Sequence, residues 1–251
     1  MTGDRHDSID KPALAINKTA GQTPGILFCG GFKSSMAGSK AVALEQFALA
    51  RGWAFTRFDY RGHGVSPGRF EEGTLSDWLD DTLQVLDGLT GPQIIIGSSM
   101  GAWIALLATL RRPDRITGLL LLAAATDFLI ELICERLDDA QRQTLREQGR
   151  ILLPSDYDDQ SPYPISRALL DDSLRHRLLD KPLAIDCPVR LIHGLRDADI
   201  PWQTSARTLE CLTGKDARML LLKNADHRLS DEASLTIVKK TLLELREPYD
   251  G

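Results

Sequence analysis

Gly97-Ser98-Ser99-Met100-Gly101 is a complete G-x-S-x-G, and its flanks give it a purpose. Ahead of it, Pro92-Gln93-Ile94-Ile95-Ile96 is a β-branched apolar run that reads as a buried parallel strand. Behind it, Ala102 to Ala108 (AWIALLA) reads as a helix. Ser99 therefore sits at a strand-to-helix turn so tight that the residues two away on either side have to be glycine. Its hydroxyl is placed to act as a nucleophile. A serine hydroxyl is a poor one near neutral pH, so it needs a base within hydrogen-bond reach, and the base needs a group that fixes its tautomer.

The chain has five histidines to offer. His6 lies in a polar tail, His63 and His193 precede glycines on expected loops, and His176 lies among charged residues. His227 differs, because Asn224-Ala225-Asp226-His227-Arg228 follows the expected strand Met219 to Lys223 and precedes the last expected helix. For the orienting acid, His193-Gly194-Leu195-Arg196-Asp197-Ala198-Asp199-Ile200-Pro201 offers two carboxylates, Asp197 and Asp199. Asp199 also reads as a solvated loop or helix-capping residue.

Strand-like and helical runs alternate around these residues. Strands are expected at Gly25 to Cys29, Trp53 to Tyr60, Pro92 to Ile96, Ile116 to Ala125, Val189 to His193 and Met219 to Lys223. Helices are expected at Ser39 to Ala50, Leu75 to Leu89, after Ser99, around Thr204 to Leu212, and from Asp231 to Arg246. Strict alternation means a mostly parallel, doubly wound sheet covered by helices on both faces. Ala13 to Lys18 adds an expected edge hairpin. One stretch breaks the rhythm. Residues 127–182 carry Phe128-Leu129-Ile130 and Leu132-Ile133, a charged amphipathic piece from Glu135 to Arg150, a Pro- and Tyr-bearing loop from Pro154 to Pro164, and a helix-like piece from Ile165 to Leu179. An insertion between two strands on the side of their carboxyl ends covers a site there, so a small helical lid is expected, with a dimerisation element as the alternative.

Together these pieces resemble the α/β-hydrolase superfamily, in which G-x-S-x-G is the nucleophile elbow and the triad runs in the order Ser, acid, His. The superfamily pattern H-G-x-x-D-x-x-[VI]-P falls on His193-Gly194, Asp197 and Ile200-Pro201, which implies Asp197 as the acid beside Ser99 and His227. It implies an oxyanion hole from the backbone N–H of Met100, after the nucleophile, and of Phe32, in the loop Gly30-Gly31-Phe32-Lys33-Ser34-Ser35-Met36. Asp59-Tyr60-Arg61-Gly62-His63-Gly64-Val65-Ser66 matches the D-x-R-G-x-G-x-S loop, whose implied role is structural, so His63 is expected to be non-catalytic. Closer similarity comes from GILFCGGFKSSM (Gly25 to Met36), Arg57-Phe58-Asp59-Tyr60, Gly91-Pro92-Gln93, the elbow with Ala102-Trp103, Ile200-Pro201-Trp202 and Asp226-His227-Arg228. These blocks, spread over about Gly25 to Glu244, are similar to the family of palmitoyl-protein thioesterases also described as mycophenolic acid acyl-glucuronide esterases. The resemblance implies cleavage of acyl thioesters or esters with no metal or cofactor.

Composition narrows the class. A length of 251 residues with 43% hydrophobic content suits one α/β domain with an insertion, and a net charge of −5 without a basic cluster argues against nucleic acid as a partner. The longest apolar stretch, Leu119 to Ala125, falls well short of the ~20 residues a membrane span needs, so no stable membrane insertion is expected. MTGDRHDSIDKP (Met1 to Pro12) has neither a signal-peptide core nor transit-peptide character. The expectation is thus a bacterial homologue kept in the cytoplasm, acting on a small-molecule or acylated substrate. Cys29, Cys134, Cys187 and Cys211 show no C-x-x-C spacing, which indicates neither zinc nor a disulfide framework. Ser99 excludes chemistries that need Asp at the elbow. Carbon-carbon bond hydrolases and cofactor-free perhydrolases keep Ser and stay open, as does a non-catalytic binding protein. Acyl length, leaving group and oligomeric state lie outside what the motifs specify.

Overall fold

The computed structural model describes residues 13–154 and 162–249. In chain order the elements are β1 (Ile16–Thr19), β2 (Gln22–Cys29), α1 (Ser39–Leu49), β3 (Trp53–Phe58), α2 (Leu75–Asp87), β4 (Gln93–Ser98), α3 (Met100–Arg111) and β5 (Ile116–Leu122). They continue with α4 (Asp139–Gln148), β6 (Arg150–Leu153), β7 (Tyr163–Ser166), α5 (Arg167–Ser173), β8 (Val189–Gly194), α6 (Trp202–Cys211), β9 (Ala217–Leu222) and α7 (Glu232–Arg246). A 7-stranded sheet runs β1-β3-β2-β4-β5-β8-β9, with every neighbour parallel except β1 against β3. The edge strand expected near Ala13 to Lys18 exists, but it is no hairpin with its chain neighbour. It pairs with β3, because β2 lies between β3 and β4 in the sheet interior.

The unbroken apolar runs of the central strands follow from burial on both faces. Leu27, Ile95, Leu119, Leu121 and Leu191 pack on one face with Trp78 of α2 and Trp103 of α3. Ile94, Ile96, Leu120, Leu122 and Ile192 pack on the other with Leu44 of α1 and Val238 and Leu242 of α7. Alternate residues of one run thus feed two cores. The ends of the strands are level: Ser98 pairs with Leu122, Leu122 with Ile192, and Ile192 with Leu220. Hence the turns after β4, β8 and β9 open on one rim of the sheet.

Between β5 and β8 the chain is not purely helical as expected. It forms a π-helical turn at Leu129–Ile133, then α4, an antiparallel β6–β7 ribbon, and α5. β-Branched and aromatic residues decide the ribbon: Ile151 faces Ile165, and Leu153 faces Tyr163. Much of the Pro154 to Pro164 loop, residues 155–161, lies outside the described residues. Asp127 closes the base of this excursion by accepting the N–H groups of Leu178 (3.0 Å) and Leu179 (2.8 Å). Asp172 of α5 accepts from Ser76 of α2 through N–H (2.7 Å) and hydroxyl (2.8 Å), and Trp103 Nε1 donates to the His176 carbonyl at 3.0 Å. Among the described residues no helix is long and apolar enough to cross a membrane.

Candidate active site

The elbow follows from β4 running straight into α3. Ser99 takes φ 57° and ψ −120°, a left-handed conformation that costs a non-glycine residue roughly 1–3 kcal/mol. The surroundings hold it there. Its N–H donates to the Leu122 carbonyl (2.8 Å), and its own carbonyl accepts from Ala102 N–H (2.9 Å) and Ala125 N–H (3.3 Å). At Gly101 a Cβ would run into the Cys29 carbonyl, so only glycine lets α3 start this close to β2. Ser99 occupies the N-cap of α3 yet makes no capping hydrogen bond. The N-cap residues of α2 and α5, Thr74 and Ser166, do use their hydroxyls to cap. The Ser99 hydroxyl is thereby left for another partner.

That partner is His227, whose Nε2 lies 3.0 Å from Ser99 Oγ. On the other side of the ring Nδ1 lies 2.7 Å from Asp197 Oδ2. A carboxylate only accepts, so Nδ1 carries the proton and Nε2 is left to accept from the hydroxyl. Asp197 is nearly sealed, its side chain 1% exposed. Burial alone would raise its pKa. Hydrogen bonds from His193 and His227, the His227 charge and the Ile200 N–H override this and hold the carboxyl well below the usual range. The structure thus brings Ser99, His227 and Asp197 into one chain of hydrogen bonds. Asp199 stands beside it and lines the cleft, not in open solvent, and its backbone N–H donates to Asp197 Oδ1 at 3.0 Å. Asp197, Asp199 and His227 could offer ligand atoms within 4.8 Å of one another to a cation. Asp197 and His227 already use those atoms on each other and on Ser99.

Met100 opens α3, where an N–H has no partner within the helix. Phe32 lines the same cleft as Ser99 and His227. Neither the Met100 nor the Phe32 N–H meets an acceptor among the described residues. Gly31 lets this loop approach, since a Cβ on it would already lie 3.3 Å from the Ser99 Cβ. Two devices hold the loop. Asp59 accepts from Met36 N–H (2.6 Å) and Val65 N–H (3.0 Å), tying it to the D-x-R-G-x-G-x-S turn. His63 Nε2 accepts from Lys33 N–H at 3.2 Å while Nδ1 faces the Arg61 carbonyl at 3.3 Å. Burial pushes the His63 imidazole down to about 4, which keeps it a neutral acceptor.

Sequence reasoning ended the expected strand at His193 but gave this residue no part in the site. It lies within β8, fully buried, with Nε2 2.9 Å from Asp197 Oδ2. The strand runs one residue beyond the expected Val189 to His193, to Gly194. A second pattern has no signature in sequence. Among the described residues, the non-glycine residues with left-handed φ are Lys33, Ser99, Ala123, Asp127 and Leu229, all in segments that follow strands of the sheet. Backbone strain is concentrated at the site. The cleft, of about 710 Å³, has an apolar wall from Phe128, Leu132, Ile133, Leu153 and Ile165, and a polar end with Lys40 and Arg228. Lys40 Nζ donates to the Arg228 carbonyl at 2.6 Å. Burial pushes its ammonium down to about 8, against the pull of Asp226 and Asp197.

Comparison with known proteins places this geometry in context. The family profile described as serine aminopeptidase, S33, matches residues 24–155. The mitochondrial palmitoyl-protein thioesterase ABHD10 of Pongo abelii is 37% identical over 237 residues, covering 94% of this chain and 77% of the relative. Its Homo sapiens counterpart is 36% identical with the same coverage. The structure of mouse α/β-hydrolase domain-containing protein 10 superposes with a TM-score of 0.89 at 36% identity and 96% coverage of both chains. A hydrolase from Agrobacterium vitis S4, whose function is assigned only provisionally, gives 0.89 at 33% identity and 92% coverage of both. At 21% identity and a TM-score of 0.73, Est1E from Butyrivibrio proteoclasticus, solved with ferulic acid, shares the fold alone.

Proposed function

Because this chain belongs to the α/β-hydrolase family that includes the ABHD10 proteins, we propose that it is a serine hydrolase cleaving acyl thioesters or carboxylic esters with Ser99, His227 and Asp197. The observation that carries the reading is the unbroken relay from Asp197 Oδ2 through His227 to Ser99 Oγ, with contacts of 2.7 and 3.0 Å. Ser99 Oγ attacks the acyl carbonyl carbon while His227 Nε2 takes its proton, and Asp197 stabilises the imidazolium. The N–H groups of Phe32 and Met100 donate to the resulting oxyanion. Each such donor is worth about a hundred- to a thousandfold in kcat. The tetrahedral species collapses with loss of the alcohol or thiol, which leaves with the proton from His227. Acyl-Ser99 remains, and water activated by the same imidazole releases the acid.

Residues 127–182 serve in this reading as a lid over a single α/β-hydrolase domain, with Phe128, Leu132, Ile133 and Ile165 supplying an apolar wall for the acyl chain. The names of the curated relatives favour a thioester with a long acyl chain as the natural substrate. Stopped-flow turnover of a p-nitrophenyl ester tests the covalent step. The expected result is a burst of one p-nitrophenol per chain, lost in Ser99→Ala. A full burst from Ser99→Ala would overturn the reading. Steady-state kcat/KM on matched acyl thioesters and oxygen esters then separates the two substrate classes.

A further inference from the structure

We propose that His193 is a positioning residue for this reaction, fixing Asp197 from behind so that the carboxylate holds His227 in one orientation. The inference rests on the reading of Ser99, His227 and Asp197 given above. Asp197 Oδ1 accepts from the Asp199 N–H (3.0 Å) and the Ile200 N–H (2.8 Å). Oδ2 accepts from His227 Nδ1 (2.7 Å) and lies 2.9 Å from His193 Nε2, whose N–H it shares with the Ile200 carbonyl. Of the four donors only the imidazole of His227 takes part in proton transfer. The other three define the plane of the carboxylate.

The tautomer of His193 follows from its surroundings. Nε2 faces Asp197 Oδ2 and also the Ile200 carbonyl at 3.0 Å, two acceptors that have no proton to give, so the ring proton sits on Nε2 and is shared between them. Nδ1 is left to accept from the Ser205 hydroxyl of α6 at 2.7 Å. His193 and Ser205 are both fully buried, so no water competes for these bonds. The charged groups around the cluster are Asp199 in the same loop, Asp226 and His227 after β9, and Lys40 of α1, which interacts electrostatically with Asp197 and Asp226. β9 places only Leu221 beside His193. A donor on Oδ2 does two things. It removes rotational freedom from the carboxylate, and it draws off part of the negative charge that would otherwise act on the His227 imidazolium.

Loss of that donor has a signature that lost packing lacks. With more negative charge left for His227, its protonated form is favoured. The acid limb of kcat/KM therefore moves to higher pH. His193→Ala is expected to lower kcat by about tenfold or more, with little change in KM, and to shift the acid limb up by about half a pH unit. His193→Gln keeps an N–H donor near the position of Nε2 and is expected to restore most of kcat and return the limb to its wild-type position. Ser205→Ala, which removes the bond that selects the tautomer, should move the limb the same way by less, and it gives the answer if His193→Ala does not fold. An unmoved limb in folded His193→Ala or Ser205→Ala, or equal losses for His193→Ala and His193→Gln, overturns the proposal. The wild-type burst and the loss of turnover in His227→Ala, measured alongside, report on the underlying relay. If those hold while the limb stays still, the role of His193 alone fails.

Discussion

The rim formed by β4, β8 and β9 and the excursion at 127–182 meet at one cleft, yet they are built on different terms. On the rim the polar atoms are committed and the backbone is held in costly conformations: Ser99 is left-handed, Asp197 takes four donors, and His193 is sealed within a strand. The excursion carries α4 on its outside, a helix with no buried residue. Its interior is nonetheless part of the main core, where Leu129, Ile130, Ile165, Leu169 and Leu170 pack in the same cluster as Trp103. In the proposed reading, chemistry that tolerates little misplacement sits on level strand ends, while the wall proposed to select a substrate sits on short elements that can vary without disturbing it.

This contrast can be broken most forcefully at the rim. His227→Ala should reduce kcat by about a millionfold, the loss seen when a triad acts as one unit, with unchanged thermal unfolding. A residual rate within tenfold of wild type would mean another base serves. Asp197→Asn keeps the shape but favours the wrong tautomer of His227, so kcat should fall by up to about 10⁴. Asp199→Asn should cost under about tenfold, because its bond to Asp197 comes from the backbone N–H, which asparagine retains. A larger loss at Asp199 than at Asp197 would move the acid. Both are read from kcat with circular dichroism as the folding control.

At the excursion, substitutions should act on selectivity. Leu132→Trp fills the apolar wall and is expected to lower kcat/KM for long-chain p-nitrophenyl esters by about tenfold while leaving the acetate within about twofold. Equal effects across chain length would show that this segment does not choose the acyl group. Point substitution is a cleaner probe than deletion here, since deletion would strip the cover from Leu129, Ile130 and Trp103.

The smallest effect on turnover is expected from His63, which acts through stability. Its folded pKa is about 4 against an ordinary 6.5, so between these values the unfolded chain binds a proton that the folded chain does not. Stability should therefore fall as pH drops from 6.5 towards 4, by up to about 3 kcal/mol. His63→Gln should flatten that part of the curve in urea unfolding at graded pH. A wild-type slope that persists in His63→Gln would assign the effect to another group.

How far the sequence foretold these regions follows the same division. The rim was legible because its needs are stereochemical. A strand meeting a helix at Ser99 demands Gly97 and Gly101, whereas the loop after His193-Gly194 offered both Asp197 and Asp199, and only the resemblance to the superfamily pattern pointed to Asp197. The sheet was legible because Ile94 to Ile96 and Leu119 to Leu122 are apolar at every position, as strands covered on both faces must be. The β6–β7 ribbon was not, since four-residue strands such as Tyr163–Ser166 are too short to show a period distinct from that of a helix turn. The pairing of β1 with β3 was hidden for a different reason. Edge strands choose partners by sheet order, which no local pattern states. The contact of His193 was hidden by chemistry, because a histidine at the end of a strand shows no purpose until the carboxylate it faces is placed beside it.

The central claim is that one serine, in one strained turn, is the nucleophile. A fluorophosphonate probe followed by peptide mass mapping tests it most directly, because the probe reacts only with a serine activated by its surroundings, and Ser98 lines the same cleft as an internal control. The account predicts a single adduct on Ser99 in the wild type, none in Ser99→Ala, and greatly slowed labelling in His227→Ala. An adduct on Ser98, or labelling of Ser99→Ala at the wild-type rate, would contradict it.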